Sequence, residues 1–153
     1  MKKKTFCFFV VLMLAGAGCL SAQMSKKQLQ DMYVAYLRGE GYNPTVDSDW
    51  DVNFTAKGQR FYISVREKDL QSFQLVLSNF LDIGSASNRQ KALDAASAVT
   101  RTTPVVRLYI TSGGKIAVDT YIFLAKPDDF KVHLNRLVNI MVQSREEFLA
   151  AMK

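Results

Sequence analysis

Between Pro104 and Leu124 the chain reads PVVRLYITSGGKIAVDTYIFL. Val106, Leu108 and Ile110 alternate with Val105, Arg107 and Tyr109. After Thr111-Ser112-Gly113-Gly114-Lys115, the residues Ile116, Val118, Thr120, Ile122 and Leu124 alternate with Asp119, Tyr121 and Phe123. Successive side chains of a strand point to opposite faces, so each run has one apolar face to bury. The paired glycines tolerate the positive φ angles of a tight turn and fold the runs onto each other as a hairpin. A chain with this segment needs a sheet, with something apolar laid against one side of it.

The rest of the sequence supplies both sheet and cover. Val52 and Phe54 alternate with polar neighbours. Ala56-Lys57-Gly58-Gln59 reads as a second hairpin turn. Phe61, Ile63 and Val65 then oppose Tyr62, Ser64 and Arg66. A third run places Phe73, Leu75 and Leu77 against Gln74, Val76 and Ser78. Ser25-Lys26-Lys27-Gln28 has the form of a capping box, and Leu29, Met32, Tyr33, Tyr36 and Leu37 follow on one helical face, ended by Gly39 and Gly41. Asn88–Thr100 is rich in alanine, with Ser87 and Gln90 as a second capping box and Ala92, Leu93, Ala96 and Val99 as its apolar positions. Pro127-Asp128-Asp129 opens a last helix with the stripe Phe130, Leu134, Leu137, Met141 and Phe148. The fold class is α+β: a mostly antiparallel five-stranded sheet with helices packed on it, in the order α-β-β-β-α-β-β-α.

The N-terminus carries an address. Lys2, Lys3 and Lys4 precede an apolar run, Thr5–Leu14, then the small residues Ala15–Gly18 and the tripeptide Leu20-Ser21-Ala22. This is the anatomy of a secretory signal peptide, and the run is short of the roughly 20 apolar residues a bilayer span needs. The expected organisation is a signal peptide over 1–22 and a single domain over 23–153, in a periplasmic or secreted protein. The alternative is cleavage before Cys19, which would leave a lipoprotein anchored through that cysteine; Gly16-Ala17-Gly18 has the small residues for it but not the upstream leucine. Cleavage after Ala22 leaves 131 of the 153 residues and removes both cysteines, Cys7 and Cys19. Disulfides, thiolate nucleophiles and Cys-ligated zinc are then excluded. It also removes three lysines and no acid, so the formal charge falls from +6 to +3. With no Lys/Arg cluster, that charge argues against a nucleic-acid partner.

No motif assembles a catalytic, metal or cofactor site. Asp47-Ser48-Asp49-Trp50-Asp51 starts like a calcium loop, but Val52 stands where that loop needs glycine and Gly58 where it needs a bidentate glutamate; a polar turn is the better reading. His133 is the only histidine and cannot make a multi-histidine site. Ser112-Gly113-Gly114-Lys115 lacks phosphate-loop spacing and joins two strands. Asp128 and Asp129 are accounted for as helix-start acids and Glu146 and Glu147 as a polar helix face, and the lone Trp50 is assigned to packing.

The second sheet face is the candidate site. Tyr62, Val76, Tyr109, Tyr121 and Phe123, with Phe80 beside them, are too apolar for a fully solvated surface. Two readings stand side by side: a core that wraps both faces, or a surface for a protein partner or a second copy.

The strand pair Val52–Val65, the hairpin Val105–Ile110 with Gly113-Gly114 and Ile116–Leu124, and the closing helix from Pro127 with Phe130, Leu134 and Leu137 resemble the YbjN-like family, grouped with sensory-transduction regulators and sharing the fold of type III secretion chaperones. The resemblance spans nearly the whole of 23–153. It implies a protein-binding, often dimeric module and no catalytic residue to carry over. The export signal departs from that family and from a cytoplasmic chaperone role. The function expected is an exported, non-enzymatic protein- or peptide-binding module, with an envelope small-ligand or lipid-binding domain as the alternative.

Overall fold

The computed structural model describes residues 24–153; the expected signal peptide, Cys7, Cys19 and both cleavage positions lie outside the described residues. The elements are α1 (Lys26–Gly39), β1 (Thr45–Val46), β2 (Val52–Ala56), β3 (Gln59–Ser64), β4 (Ser72–Asp82), α2 (Ala86–Thr102), β5 (Arg107–Ile110), β6 (Lys115–Phe123), a 3-10 turn (Pro127–Asp129) and α3 (Phe130–Ala151). The class is α+β, as expected. The sheet has six strands rather than five, in the spatial order β1-β2-β3-β4-β6-β5, and every neighbouring pair is antiparallel.

The additional strand comes from a local side-chain effect. Asp47 Oδ1 accepts the backbone N–H of both Asp49 and Asp51, each at 3.0 Å. Such an aspartate turn folds the backbone back on itself. It lays Thr45 and Val46 beside Asn53 and Val52, so Val46 is paired rather than a lead-in to the next strand.

Both turn glycines behave as their chemistry requires. Ala56 pairs directly with Gln59, leaving Lys57 and Gly58 as a two-residue loop with φ of 51° and 71°; positive φ at both places is what a type I′ turn needs. Gly114, at φ 73°, donates to Thr111 and closes the β5–β6 turn. Helix α2 carries the chain over from β4 to β5, so β6 returns between β4 and β5.

One sheet face is buried beneath the helices. Phe54, Phe61, Ile63, Phe73, Leu75, Leu77, Ile116 and Val118 form it, against Leu29, Tyr33 and Leu37 of α1 and Phe130, Leu134, Met141 and Phe148 of α3. Tyr33, Phe73 and Phe130 interlock, with ring centroids 4.8–5.9 Å apart. Each fully buried large apolar side chain contributes about 1.5–3 kcal/mol of transfer free energy. The capping box at Ser25 and Gln28 forms as read.

Three local readings change. The cap of α2 is Ser85, two residues before Ser87, and its hydroxyl accepts from Asn88 N. On that helix Ala95 is buried and Leu93 is 42% exposed, because the contact face centres on Ala92, Ala96 and Val99. Phe80 does not join the second sheet face. A register shift between Leu77 and Leu81, with Asn79 at φ 47°, turns it toward α3, where its ring meets Phe148 at 5.8 Å. An extra residue in one strand re-aims the side chains that follow it.

Candidate functional site

Opposite the helices, the sheet has no helical cover among the described residues. Cross-strand pairing builds one row across it: Asn53, Tyr62, Val76, Asp119 and Arg107. Tyr109 and Ala117 lie one step along on β5 and β6; Gln74 and Tyr121 lie one step the other way on β4 and β6.

Of the five residues expected here, Tyr62 and Tyr109 are half-buried and flank a concavity of about 360 Å³ whose floor includes Val76 and Ala117. Val76 is only 1% exposed. A central-strand valine between two tyrosines is floor, not contact surface. Tyr121 is 40% and Phe123 78% exposed, their rings edge to face at 5.5 Å. Burial pushes the Tyr62 hydroxyl up to about 12 and raises that of Tyr109 as well.

The centre of this face is polar. Asp119 is 1% exposed although no helix among the described residues covers it. It accepts two hydrogen bonds from Arg107, Nε to Oδ1 at 3.0 Å and Nη2 to Oδ2 at 2.6 Å. A third comes from Gln74 Nε2 at 2.9 Å, and Arg66 Nη2 donates to Gln74 Oε1 at 2.7 Å. A buried carboxylate needs such a complete set of donors. The Asp119 hydrogen bonds also raise the Arg107 guanidinium's affinity for its proton. Both arginines lie over tyrosines, Arg107 on Tyr109 at 5.2 Å and Arg66 on Tyr121 at 5.4 Å. Stacking and hydrogen bonding together fix the two guanidinium planes. They border a second concavity, of about 630 Å³, with Gln74, Asp119 and Tyr121. Fixed guanidinium forks and tyrosine faces suit carboxylate and aromatic groups of a partner.

A third concavity, about 610 Å³, runs between α3 and the end of β6. Ile122, Leu137 and Ile140 line it, with Phe123 and Val105 on its rim. Val105 also borders the arginine concavity, so it stands on the ridge between the two. It is not the first residue of a strand: it precedes β5 in a turn, 53% exposed, at φ 61°. A β-branched residue at positive φ is strained.

The remaining candidates fall into place. The Asp47 carboxylate is occupied by Asp49 N, Asp51 N and Asn53 Nδ2, and the bond from Asn53 holds it below the ordinary range. Asp51 accepts from Val65 N while burial lifts its carboxyl. Among the described residues no three His, Cys, Asp or Glu side chains are grouped to hold a metal ion. Trp50, assigned to packing, is 44% exposed at φ 74°, with Lys26 over its ring at 5.3 Å and its carbonyl accepting from Gln30. Asp129 accepts from Lys126 N and so caps the turn before α3. His133 is exposed on α3, at the edge of the groove.

Sequence alternation places Asp119 and Arg107 on the right face but cannot pair them. The strand register does that, and register is a tertiary property. Gln74 and Arg66 carry no signal of their own.

No protein-family model and no curated protein sequence matches the chain. Among solved structures, the fold is shared with an uncharacterised protein from Methanothermobacter thermautotrophicus at TM-score 0.54 and 11% identity, over 82% of this chain and 99% of that one. The chain is also similar to the crystal structure of YbjN from E. coli, at TM-score 0.49 and 11% identity, over 80% of this chain and 87% of that one. At 11% identity the first of these likenesses concerns the fold alone.

Proposed function

We propose that this protein is an exported, non-enzymatic protein- or peptide-binding module, regulatory or chaperone-like, whose contact surface is the open sheet face. One observation carries the reading: a sheet face without helical cover among the described residues holds Arg66 and Arg107 stacked on Tyr121 and Tyr109 around a buried Asp119. Tyrosine and arginine are the residues that most often supply binding energy at protein interfaces. Rigid groups also lose little freedom when a partner arrives.

Selection of a random displayed-peptide library on the purified protein tests it. Enriched peptides should lose binding to an Arg66→Ala, Tyr121→Ala double variant that keeps its fold by circular dichroism. Peptides that bind the variant equally well, or no enrichment at all, would remove the support. Export is tested by the mass of the N-terminus recovered from cells. A chain beginning at Gln23 supports it; an acylated Cys19 replaces free diffusion with a membrane anchor.

The alternative, a small apolar ligand or lipid held at the envelope, is favoured by the groove beside α3. Its volume of about 610 Å³ falls within the roughly 300–1,000 Å³ common for small-molecule sites. A co-purified small molecule in native mass spectrometry, lost on Ile140→Glu, would support that reading.

A further inference from the structure

The arginine concavity and the α3 groove adjoin. Tyr121 borders the first and Phe123 the second, and their rings meet edge to face at 5.5 Å. Val105 borders both. Tyr121, Phe123 and Val105 therefore make one ridge with a depression on each side. Phe123 is 78% and Val105 53% exposed, and Val105 holds its side chain there at φ 61°. Neither is buried by the packing of the described residues. A strained, exposed valine near an exposed phenylalanine is apolar surface that folding does not require.

The two depressions differ in chemistry. In the first, Arg66 is fixed by neutral groups: it lies over the Tyr121 ring at 5.4 Å and donates to Gln74 Oε1 at 2.7 Å. Asp69 accepts from the Tyr121 hydroxyl and so holds that ring in place. Arg107 is neutralised by Asp119, whereas Arg66 takes part in no ion pair among the described residues. A planar guanidinium with a set direction and no carboxylate of its own matches a carboxylate brought by a partner. The second depression is apolar at Ile122, Leu137 and Ile140, which suits a bulky apolar side chain. Arg136 on its border also has no ion pair among the described residues. Arg66, Arg107 and Arg136 thus line the two depressions against Asp119 and Glu147. The charge left over is positive, and its complement is an acidic partner.

We propose that the two depressions form one bipartite peptide site. The arginine concavity takes an aspartate or glutamate side chain of the partner, and the groove takes a bulky apolar side chain a few residues away. This rests on the open-face reading and extends that surface over the ridge to α3. An extended peptide advances about 3.3 Å per residue, so side chains about two to four positions apart reach both sides of a ridge one or two side chains wide. Pockets for separate side chains are the usual source of specificity in peptide recognition.

Displayed-peptide selection on protein purified after expression of the full chain is the first arm of the test. Enriched peptides should share an acidic residue and, at a fixed spacing from it, a Leu, Ile, Met or Phe. A synthetic peptide carrying the commonest pair is then titrated by calorimetry against wild type, Arg66→Ala and Phe123→Ala. Both positions are exposed, and circular dichroism checks that each variant folds. Changing the peptide's acid to its amide should weaken binding to wild type by more than about tenfold, as expected for a lost charge-assisted hydrogen bond, and leave binding to Arg66→Ala unchanged. Changing its apolar residue to alanine should weaken binding to wild type and to Arg66→Ala by a similar factor, about tenfold, and binding to Phe123→Ala by much less. This crossed pattern follows when each depression reads its own side chain. Enriched peptides that lack an acid, yet lose binding to Arg66→Ala with Tyr121→Ala, overturn the proposal and leave the open-face reading standing. So does an acid whose removal costs the same with and without Arg66, or an apolar residue indifferent to Phe123. A lipid held in the groove and not displaced by the peptide also overturns it. A selection that enriches nothing removes both readings.

Discussion

Strand β4 shows two kinds of construction back to back. On the helix side Phe73, Leu75 and Leu77 are fully buried, and Phe73 stacks on Phe130 at 5.5 Å. On the other side Gln74 and Ser78 are half-buried, and Gln74 bonds to Asp119 and Arg66. The helix side is held by apolar contact, which is non-directional and scales with area. The open side is held by hydrogen bonds of fixed direction between groups that sit close to water. The first kind of contact specifies a fold. The second specifies where donors, acceptors and ring faces stand, which is what recognition of a partner requires. Stability should therefore concentrate on one side of β4 and binding on the other.

The hardest test of that division is a truncation on each side. Phe130→Ala removes a fully buried ring that touches Tyr33, Tyr36 and Phe73. It should cost about 3–5 kcal/mol, read as a lower urea midpoint. Tyr121→Ala, on the exposed rim, should cost less than about 1 kcal/mol while abolishing peptide binding. Comparable losses from the two would show that the open face is part of the core.

One residue on the open face should behave as though it belonged to the other side. Arg107→Ala leaves Asp119 buried with Gln74 as its remaining side-chain donor. An under-satisfied buried carboxylate costs about 1–3 kcal/mol. The guanidinium is itself largely exposed and water can enter behind it, which keeps the loss below that of Phe130→Ala. Asp119→Asn, which needs fewer donors, should cost less than Arg107→Ala. The opposite ranking would mean that Arg107 acts by covering the sheet rather than by satisfying Asp119.

Much of the helix side was legible in the sequence. Alternation in Phe61–Val65, Phe73–Leu77 and Ile116–Leu124, and the spacing of Phe130, Leu134, Leu137, Met141 and Phe148, depend only on each segment's own periodicity. The open side was legible as a set of residues and not as a site. Arg107 and Asp119 are 12 positions apart, but Gln74 and Asp119 are 45 apart, and only register brings them together. The strand β1 and the redirection of Phe80 escaped for a related reason: an aspartate turn and a bulge each shift the backbone by a residue, and periodicity assumes no shift. Val105 escaped because alternation takes every residue of a run as strand, whereas Pro104 and Val105 make a turn.

That turn offers a smaller test of the division. Val105 sits at φ 61° on the ridge between the groove and the arginine concavity. Its strain is of the order of 1–3 kcal/mol, partly offset in a glycine variant by the greater freedom of the unfolded chain. Val105→Gly should raise stability by about 1 kcal/mol in urea unfolding, since it relieves that strain. A variant that is less stable than wild type would show that the valine is held by packing, and would move the ridge to the core side of the comparison.

The smallest effect separates two tyrosines, one from each side. Burial raises the hydroxyl pKa of Tyr33, 1% exposed beneath α3, and lifts that of Tyr62, half-buried on the open face, to about 12. In the unfolded chain both ionise near about 10. A raised folded pKa means that the folded state binds more protons than the unfolded state above about pH 10, so stability falls as pH rises. Below about pH 10 neither residue contributes a slope. For Tyr62 the loss runs from about pH 10 to about 12 and then levels. For Tyr33, whose ring lies wholly in the apolar core, it continues beyond that range. Tyr33→Phe and Tyr62→Phe should therefore flatten the alkaline loss of stability almost equally up to about pH 11, and Tyr33→Phe should flatten it more only above about pH 12, measured as the urea midpoint on either side of that pH. Equal flattening above about pH 12 would mean that both rings see the same solvent, and the open face would then be as closed as the core.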